Sequence, residues 1–119
     1  MDGDAASADR AGLARRYYRA LDDGEYGTLR SLLADDFRQE RGDRTLDGAD
    51  RFVRFMRDQR PETDTSHDVD AVYEGGDGVA VEGRLRHADG SPWFAFVDVF
   101  TVADGRLESL RTYTRSPDG

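Results

Sequence analysis

The spacing of the apolar residues changes at Pro61. Beyond it they recur at every second position through SHDVDAVYE, VAVEGRLRH, PWFAFVDVFTV and RLESLRTYT, and the turn signals GGDG, ADGS and ADG separate these runs. Strand side chains point alternately to the two faces of a sheet, so this period predicts four strands in an antiparallel meander. Before Pro61 the apolar residues recur at three and four positions, the period of a helix.

The first helix is expected to start from Ser7 as N-cap, to bury Ala14, Tyr17, Tyr18 and Leu21, and to stop at Gly24. Leu29, Leu32 and Leu33 predict a short second helix ending near Ala34. In FRQERGDRTL, Gly42-Asp43 reads as the turn of a hairpin. A third helix is expected after Asp47 as N-cap, with Asp50 in its first turn and Phe52, Phe55 and Met56 on one face, and Arg60-Pro61 ends it. The fold class is therefore α+β. A chain of 119 residues without repeats or a linker is expected to be one domain over 1–119, with about 1–7 and 116–119 loose.

Composition excludes several function classes. The chain has no cysteine, which removes disulfides, thiol catalysis and thiolate metal sites. Two histidines far apart give no metal motif, and GEYG and EGGDG lack the strand-to-helix context of a phosphate loop, so no cofactor is expected. Acidic residues outnumber basic ones 25 to 17, for a net charge of -8, and every basic residue is arginine. That field repels phosphate backbones and anionic lipid, so no nucleic-acid or membrane partner is expected. Dispersed aspartates with no lysine fit a halophilic cell with high internal salt, and doublets such as Asp22-Asp23 and Asp35-Asp36 read as solvated surface. With neither a leader segment nor an apolar run long enough to span a bilayer, the expected location is cytoplasmic.

The run FAFVDVF places Asp98 among six apolar residues. Alternation puts Phe94, Phe96, Asp98 and Phe100 on one face and Trp93, Ala95, Val97 and Val99 on the other. A strand apolar on both faces needs cover on both. Helices and a pocket are expected on one side, and a second subunit, making a homodimer, on the other. Asp98 is either an acid in that pocket or a residue that caps backbone or pairs with an arginine such as Arg111.

Two helices, a hairpin, a third helix and a long meander resemble the nuclear transport factor 2-like superfamily, which includes ketosteroid isomerases, SnoaL-like polyketide cyclases and limonene epoxide hydrolases. The resemblance covers roughly residues 10 to 115, and RYYRALDDGEYGTLRSLLADDF, LDGADRFVRFM and FVDVFTVADGRLESLRTY are each similar to segments of ketosteroid isomerase-like proteins. It implies a cone-shaped curved antiparallel sheet packed on three helices from the N-terminal half, around an apolar pocket. It also places Asp98 where such strands carry the acid of an oxyanion hole and Tyr17 where the first helix carries the partner tyrosine, though Tyr18 could face inward instead. An acid in apolar surroundings stays protonated and donates a hydrogen bond, as in ketosteroid isomerase.

The resemblance puts Arg41 at the position of the isomerase base, and arginine cannot accept a proton. Neighbouring Glu40 reaches the same face only through a bulge. Polar positions of the isomerase network correspond to Leu33 and Met56. His67, on a face with Val69, Ala71 and Tyr73, is the other candidate to move a proton, whereas His87 falls in an exposed turn. The Asp-Arg-Asp set of limonene epoxide hydrolases is missing, because Phe96, Leu110 and Thr112 occupy the matching inward positions. Tyr17, Asp98, His67 and Glu40 are thus the candidate catalytic residues, and Arg41, Phe55, Phe96, Leu110 and Thr112 the candidate ligand contacts. Three functions follow. One is an isomerase- or cyclase-type enzyme acting on a small, largely hydrophobic, oxygen-bearing molecule. Another is a non-catalytic binder in which Arg41 takes an anionic end, and the last a structural homodimer with a vestigial pocket.

Overall fold

The computed structural model describes residues 10–116. Helices α1 (Arg10–Asp22) and α2 (Tyr26–Ser31) lead into the hairpin β1 (Leu33–Arg41) and β2 (Arg44–Asp47). Helix α3 (Ala49–Asp58) follows, and then β3 (Ser66–Gly75), β4 (Gly78–Arg86), β5 (Pro92–Ala103) and β6 (Arg106–Arg115). Expected cap Ser7 and the expected loose ends, apart from Ser116, lie outside the described residues. No helix among the described residues is long and apolar enough to cross a membrane.

Helix α1 buries Leu13, Ala14, Tyr17, Tyr18 and Leu21. It stops where Gly24 takes φ +71°, with the amides of Gly24 and Glu25 donating to Leu21 O and Ala20 O. Positive φ at the residue after a helix is cheap only for glycine. Helix α2 is shorter than the leucine spacing predicts. Leu33 begins β1 and pairs with Leu107 of β6, whose amide donates to Leu32 O at 2.8 Å, so strand pairing takes Leu33 and Ala34 from the helix. Helix α3 is capped by Gly48 at φ +92° and not by Asp47, which is still paired with Arg38 in the hairpin. Asp50 lies in its first turn as expected and accepts from Arg30 Nε at 2.7 Å.

The six strands form one curved, unclosed sheet in the order β2-β1-β6-β5-β4-β3. The meander is antiparallel throughout, but β1 runs parallel to β6, which places the N-terminal hairpin beside the last strand. Register shifts interrupt four of the ladders. Such irregularities bend and twist strands, and here they curve the sheet around α1 and α3. The shift between Val69 and Ala71 also corrects the expected face of β3. Past it, Val72 packs on the core and Tyr73 is exposed, so His67 and Tyr73 no longer share a side.

Across the concave face, inward residues line up in rows set by register. Leu110 faces Phe100 on β5 and Gln39 on β1; one step further along, Thr112 faces Asp98 and Arg41. The first row closes the core under α1 and α3, where Phe37, Phe52, Phe100 and Leu110 are fully buried. Gly83 is the one inward position of β4 without a side chain. A Cβ there would stand 2.5 Å from Asp68 O and 2.8 Å from the Phe96 ring. Phe96 therefore lies across bare backbone.

Candidate functional site

Phe96, Asp98 and Thr112, together with residues of the hairpin, α1 and α3, line a cavity of about 260 Å³. Its walls are mainly apolar, formed by Leu21, Phe55, Met56, Leu85, Phe94 and Phe96, with Trp93 at the rim. Trp93 reaches this side because the β4–β5 register shifts between Leu85 and Arg86.

Asp98 is 5% exposed, and both of its carboxyl oxygens are held. Tyr18 donates to Oδ2 at 2.7 Å and Thr112 to Oδ1 at 2.7 Å. Thr112 in turn accepts from Gln39 Nε2 at 3.1 Å, so its own proton is committed to Asp98. Burial pushes the Asp98 carboxyl above its ordinary range, while the hydrogen bonds from Tyr18 and Thr112 pull it back. Among the described residues no arginine hydrogen-bonds it. Arg111, the expected alternative partner, pairs across from Val99 and is exposed on the opposite face.

Tyr17 also lines the cavity, but the tyrosine bonded to Asp98 is Tyr18. The two rings meet edge to face at 5.1 Å, and among the described residues the Tyr17 hydroxyl has no hydrogen-bond partner. Burial above all raises both phenols well above their ordinary range, so each is a neutral donor. The pairing of Tyr17 with Asp98 is thus corrected: Tyr18 supports the acid, and Tyr17 is free to meet a ligand.

His67 lines the cavity from β3. Its Nδ1 lies 2.6 Å from Asp22 Oδ1, and its backbone amide donates to Asp22 Oδ2 at 2.9 Å. In the neutral tautomer that donates Nδ1–H to this carboxylate, Nε2 is the acceptor. Asp22, at the last residue of α1, is therefore a positioning residue and not solvated surface. Its doublet with Asp23 carried no signal of this, because the partner is 45 residues away.

The remaining candidates separate cleanly. Glu40 is exposed and does not reach the cavity; Gln39 and Arg41, on either side of it in β1, do. No bulge lies between them to turn Glu40 inward, so it is not available as a base. Leu110 is fully buried core and does not line the cavity. Arg41, Phe55, Phe96 and Thr112 all line it, as do Gln39 and Arg44, neither of them a candidate from sequence although Gln39 shares the parity of Arg41. Leu33 is fully buried core, whereas Met56 is cavity wall. His87 is half-buried instead of exposed, stacked on Trp93 at 4.6 Å with Nδ1 3.0 Å from Glu62 Oε1. Among the described residues no cluster of three or more histidine, aspartate or glutamate side chains is set to hold a metal ion.

The SnoaL-like domain model matches residues 14–110, most of the chain. The chain belongs to the SnoaL-like domain family. Solved structures agree on the fold of this SnoaL-like domain. A candidate ketosteroid isomerase from Kribbella flavida superposes with a TM-score of 0.79 at 26% identity, over 90% of this chain and 77% of that one. An LEH-like epoxide hydrolase from M. tuberculosis gives 0.80 at 21% identity, over 91% and 84%. A candidate SnoaL-like polyketide cyclase from Jannaschia gives 0.77 at 20% identity, over 90% and 85%. No curated protein matches. This SnoaL-like domain thus has the α+β fold of the nuclear transport factor 2-like superfamily, on which proteins named for three chemistries are built; the fold does not choose among them.

Proposed function

We propose that this SnoaL-like domain binds a small, largely apolar molecule bearing a carbonyl and moves a proton on it. The observation that carries this reading is Asp98: a buried acid facing an apolar cavity, with Tyr18 and Thr112 donating to its two oxygens. A protonated carboxyl accepts both bonds and still has one proton to donate. Asp98 and the free hydroxyl of Tyr17 then give a ligand oxygen two donors in a site largely screened from water, where such bonds are strong.

His67 supplies the base that Arg41 cannot. Its Nε2 takes a proton from the carbon beside the carbonyl, the C–H electron pair becomes a C=C bond, and the carbonyl π pair moves onto the oxygen held by Tyr17 and Asp98. When the carbonyl is β,γ-unsaturated, the imidazolium formed, stabilised by Asp22, returns the proton to the γ-carbon as the oxygen's electron pair re-forms the C=O and the C=C bond shifts to the α,β position, so the net reaction is an isomerisation. The cavity, just under the ~300–1,000 Å³ of drug-sized pockets, suits one or two rings better than a four-ring skeleton.

The test is hydrogen–deuterium exchange at the α-carbons of 2-tetralone in heavy water, followed by proton NMR, with binding of its enol analogue 2-naphthol measured in parallel. Wild type should accelerate exchange, His67→Gln should lose exchange while keeping 2-naphthol, and Asp98→Leu should lose both. Binding without exchange in wild type would leave a non-catalytic binder. Absence of both would leave a structural role.

A further inference from the structure

Every long cationic side chain of the cavity except two is already occupied. Arg60 donates to Met56 O, Thr63 O and Tyr26 Oη. Elsewhere Arg30, Arg57, Arg84 and Arg86 all hydrogen-bond aspartates, as befits a chain rich in acids. Arg41 and Arg44 differ. They sit directly opposite each other at the end of the β1–β2 hairpin, both line the cavity, and among the described residues neither donates a hydrogen bond.

The pair is costly as it stands. Like charges facing each other across a ladder are destabilising. Both side chains are about three-quarters buried, and Arg44 Nε has no partner at all. Burial and the charge of Arg41 hold the Arg44 guanidinium below its ordinary range. Asp43, the one carboxylate within 4 Å, is mostly exposed and touches each arginine only at 3.4 and 3.6 Å. Aromatic faces hold both guanidinium groups in place: Phe55 lies 4.2 Å below Arg44, and Phe94 lies 5.8 Å from Arg41. Two preorganised cations sharing one weak counter-ion amount to a net positive, donor-rich mouth on an apolar cavity in an acidic protein.

Register sets the distance from this mouth to the acid. Arg41 faces Thr112 and Thr112 faces Asp98, so Arg41 and Asp98 stand two strand spacings apart, ~10 Å between backbones. That separation matches a molecule of one or two rings with a polar group at each end. Gln39 lies along the same side, and its buried Oε1 has no protein partner, leaving an acceptor for a ligand hydroxyl.

We infer that the ligand is an amphipathic carboxylate: an aromatic or alicyclic keto acid whose carboxylate is clasped by Arg41 and Arg44 while its carbonyl lies at Asp98 and Tyr17. The inference rests on the pocket reading above and adds the anionic end. Guanidinium groups bind carboxylate in planar, two-pronged geometry, and a charged hydrogen bond in a half-buried site carries more affinity than a neutral one.

Two enol analogues that differ only in the carboxylate separate the two readings. Titrations with 2-naphthol report the oxygen end alone; those with 6-hydroxy-2-naphthoate report both ends. Wild type should bind the acid ~10–100-fold more tightly than the naphthol. Arg41→Gln/Arg44→Gln should abolish that preference while leaving 2-naphthol affinity within about twofold, which also shows that the variant is folded. Arg41→Lys/Arg44→Lys, which keeps the charge but not the fork, should retain part of the preference. Equal affinity of wild type for the two probes, or a preference that survives the double glutamine variant, overturns the anionic end and leaves the pocket reading intact. Failure of wild type to bind either probe overturns both.

Discussion

Tyr18 donates a 2.7 Å hydrogen bond to Asp98 across 80 residues of sequence and joins the first helix to the middle of the fifth strand. With the matching bond from Thr112, it keeps a carboxyl tolerable in the core. The adjacent Tyr17, with no such bond, is left facing the cavity. The two neighbours should therefore respond differently to loss of the hydroxyl.

Tyr18→Phe leaves Asp98 with one donor instead of two and should cost about 1–3 kcal/mol of stability in denaturant melts. Tyr17→Phe should leave stability almost unchanged and weaken 2-naphthol binding about 2–10-fold. Interchanged results would restore Tyr17 as the structural partner.

The Asp98 carboxyl gives stability a pH dependence of known sign. Burial raises it above the ordinary 3.8, so the folded state keeps this proton to higher pH than the unfolded chain does. Its contribution is full below 3.8 and is lost as pH rises through the folded value. Asp98→Asn cannot lose that proton. The stability of the asparagine variant relative to wild type should therefore increase from about pH 4 upward and level off above the folded value. A difference that is flat, or that falls over this range, means that Asp98 is ionised in the folded protein.

Gly83 is required by space. The methyl of Gly83→Ala would meet a backbone oxygen at 2.5 Å, and trimming Phe96 cannot relieve that contact. A loss of about 1–3 kcal/mol is expected, and Gly83→Ala/Phe96→Leu should not recover it. Full recovery in the double variant would show that the ring alone sets the constraint.

We expect a second copy of the chain on the convex face. Tyr73 and Tyr113, both more than half exposed, bracket Ala80, Val97 and Val99 in adjacent cross-strand rows. Light scattering should give about twice the 13.3 kDa chain mass, and Val97→Glu should return it to one. A monomeric wild type at micromolar concentration contradicts this.

Much of the site was legible in the sequence for one reason: side-chain periodicity is local. Alternation along FAFVDVF is enough to turn Phe96, Asp98 and Phe100 inward, and helical spacing is enough to bury Tyr17 and Tyr18 together. Parity likewise separates Arg41, which reaches the cavity, from Glu40, which does not.

Which inward residues meet was decided by tertiary structure alone. Spacing cannot choose between adjacent tyrosines when both are buried; the choice of Tyr18 came from how α1 lies on the sheet. The parallel pairing of β1 with β6 took Leu33 from its helix and set Thr112 between Arg41 and Asp98. A shift at residue 70 exposed Tyr73, and the end of α1 brought Asp22 to His67. Register and helix docking are set by contacts between residues tens of positions apart. A period read along the chain determines the face on which a side chain lies, and only the folded sheet determines its neighbour.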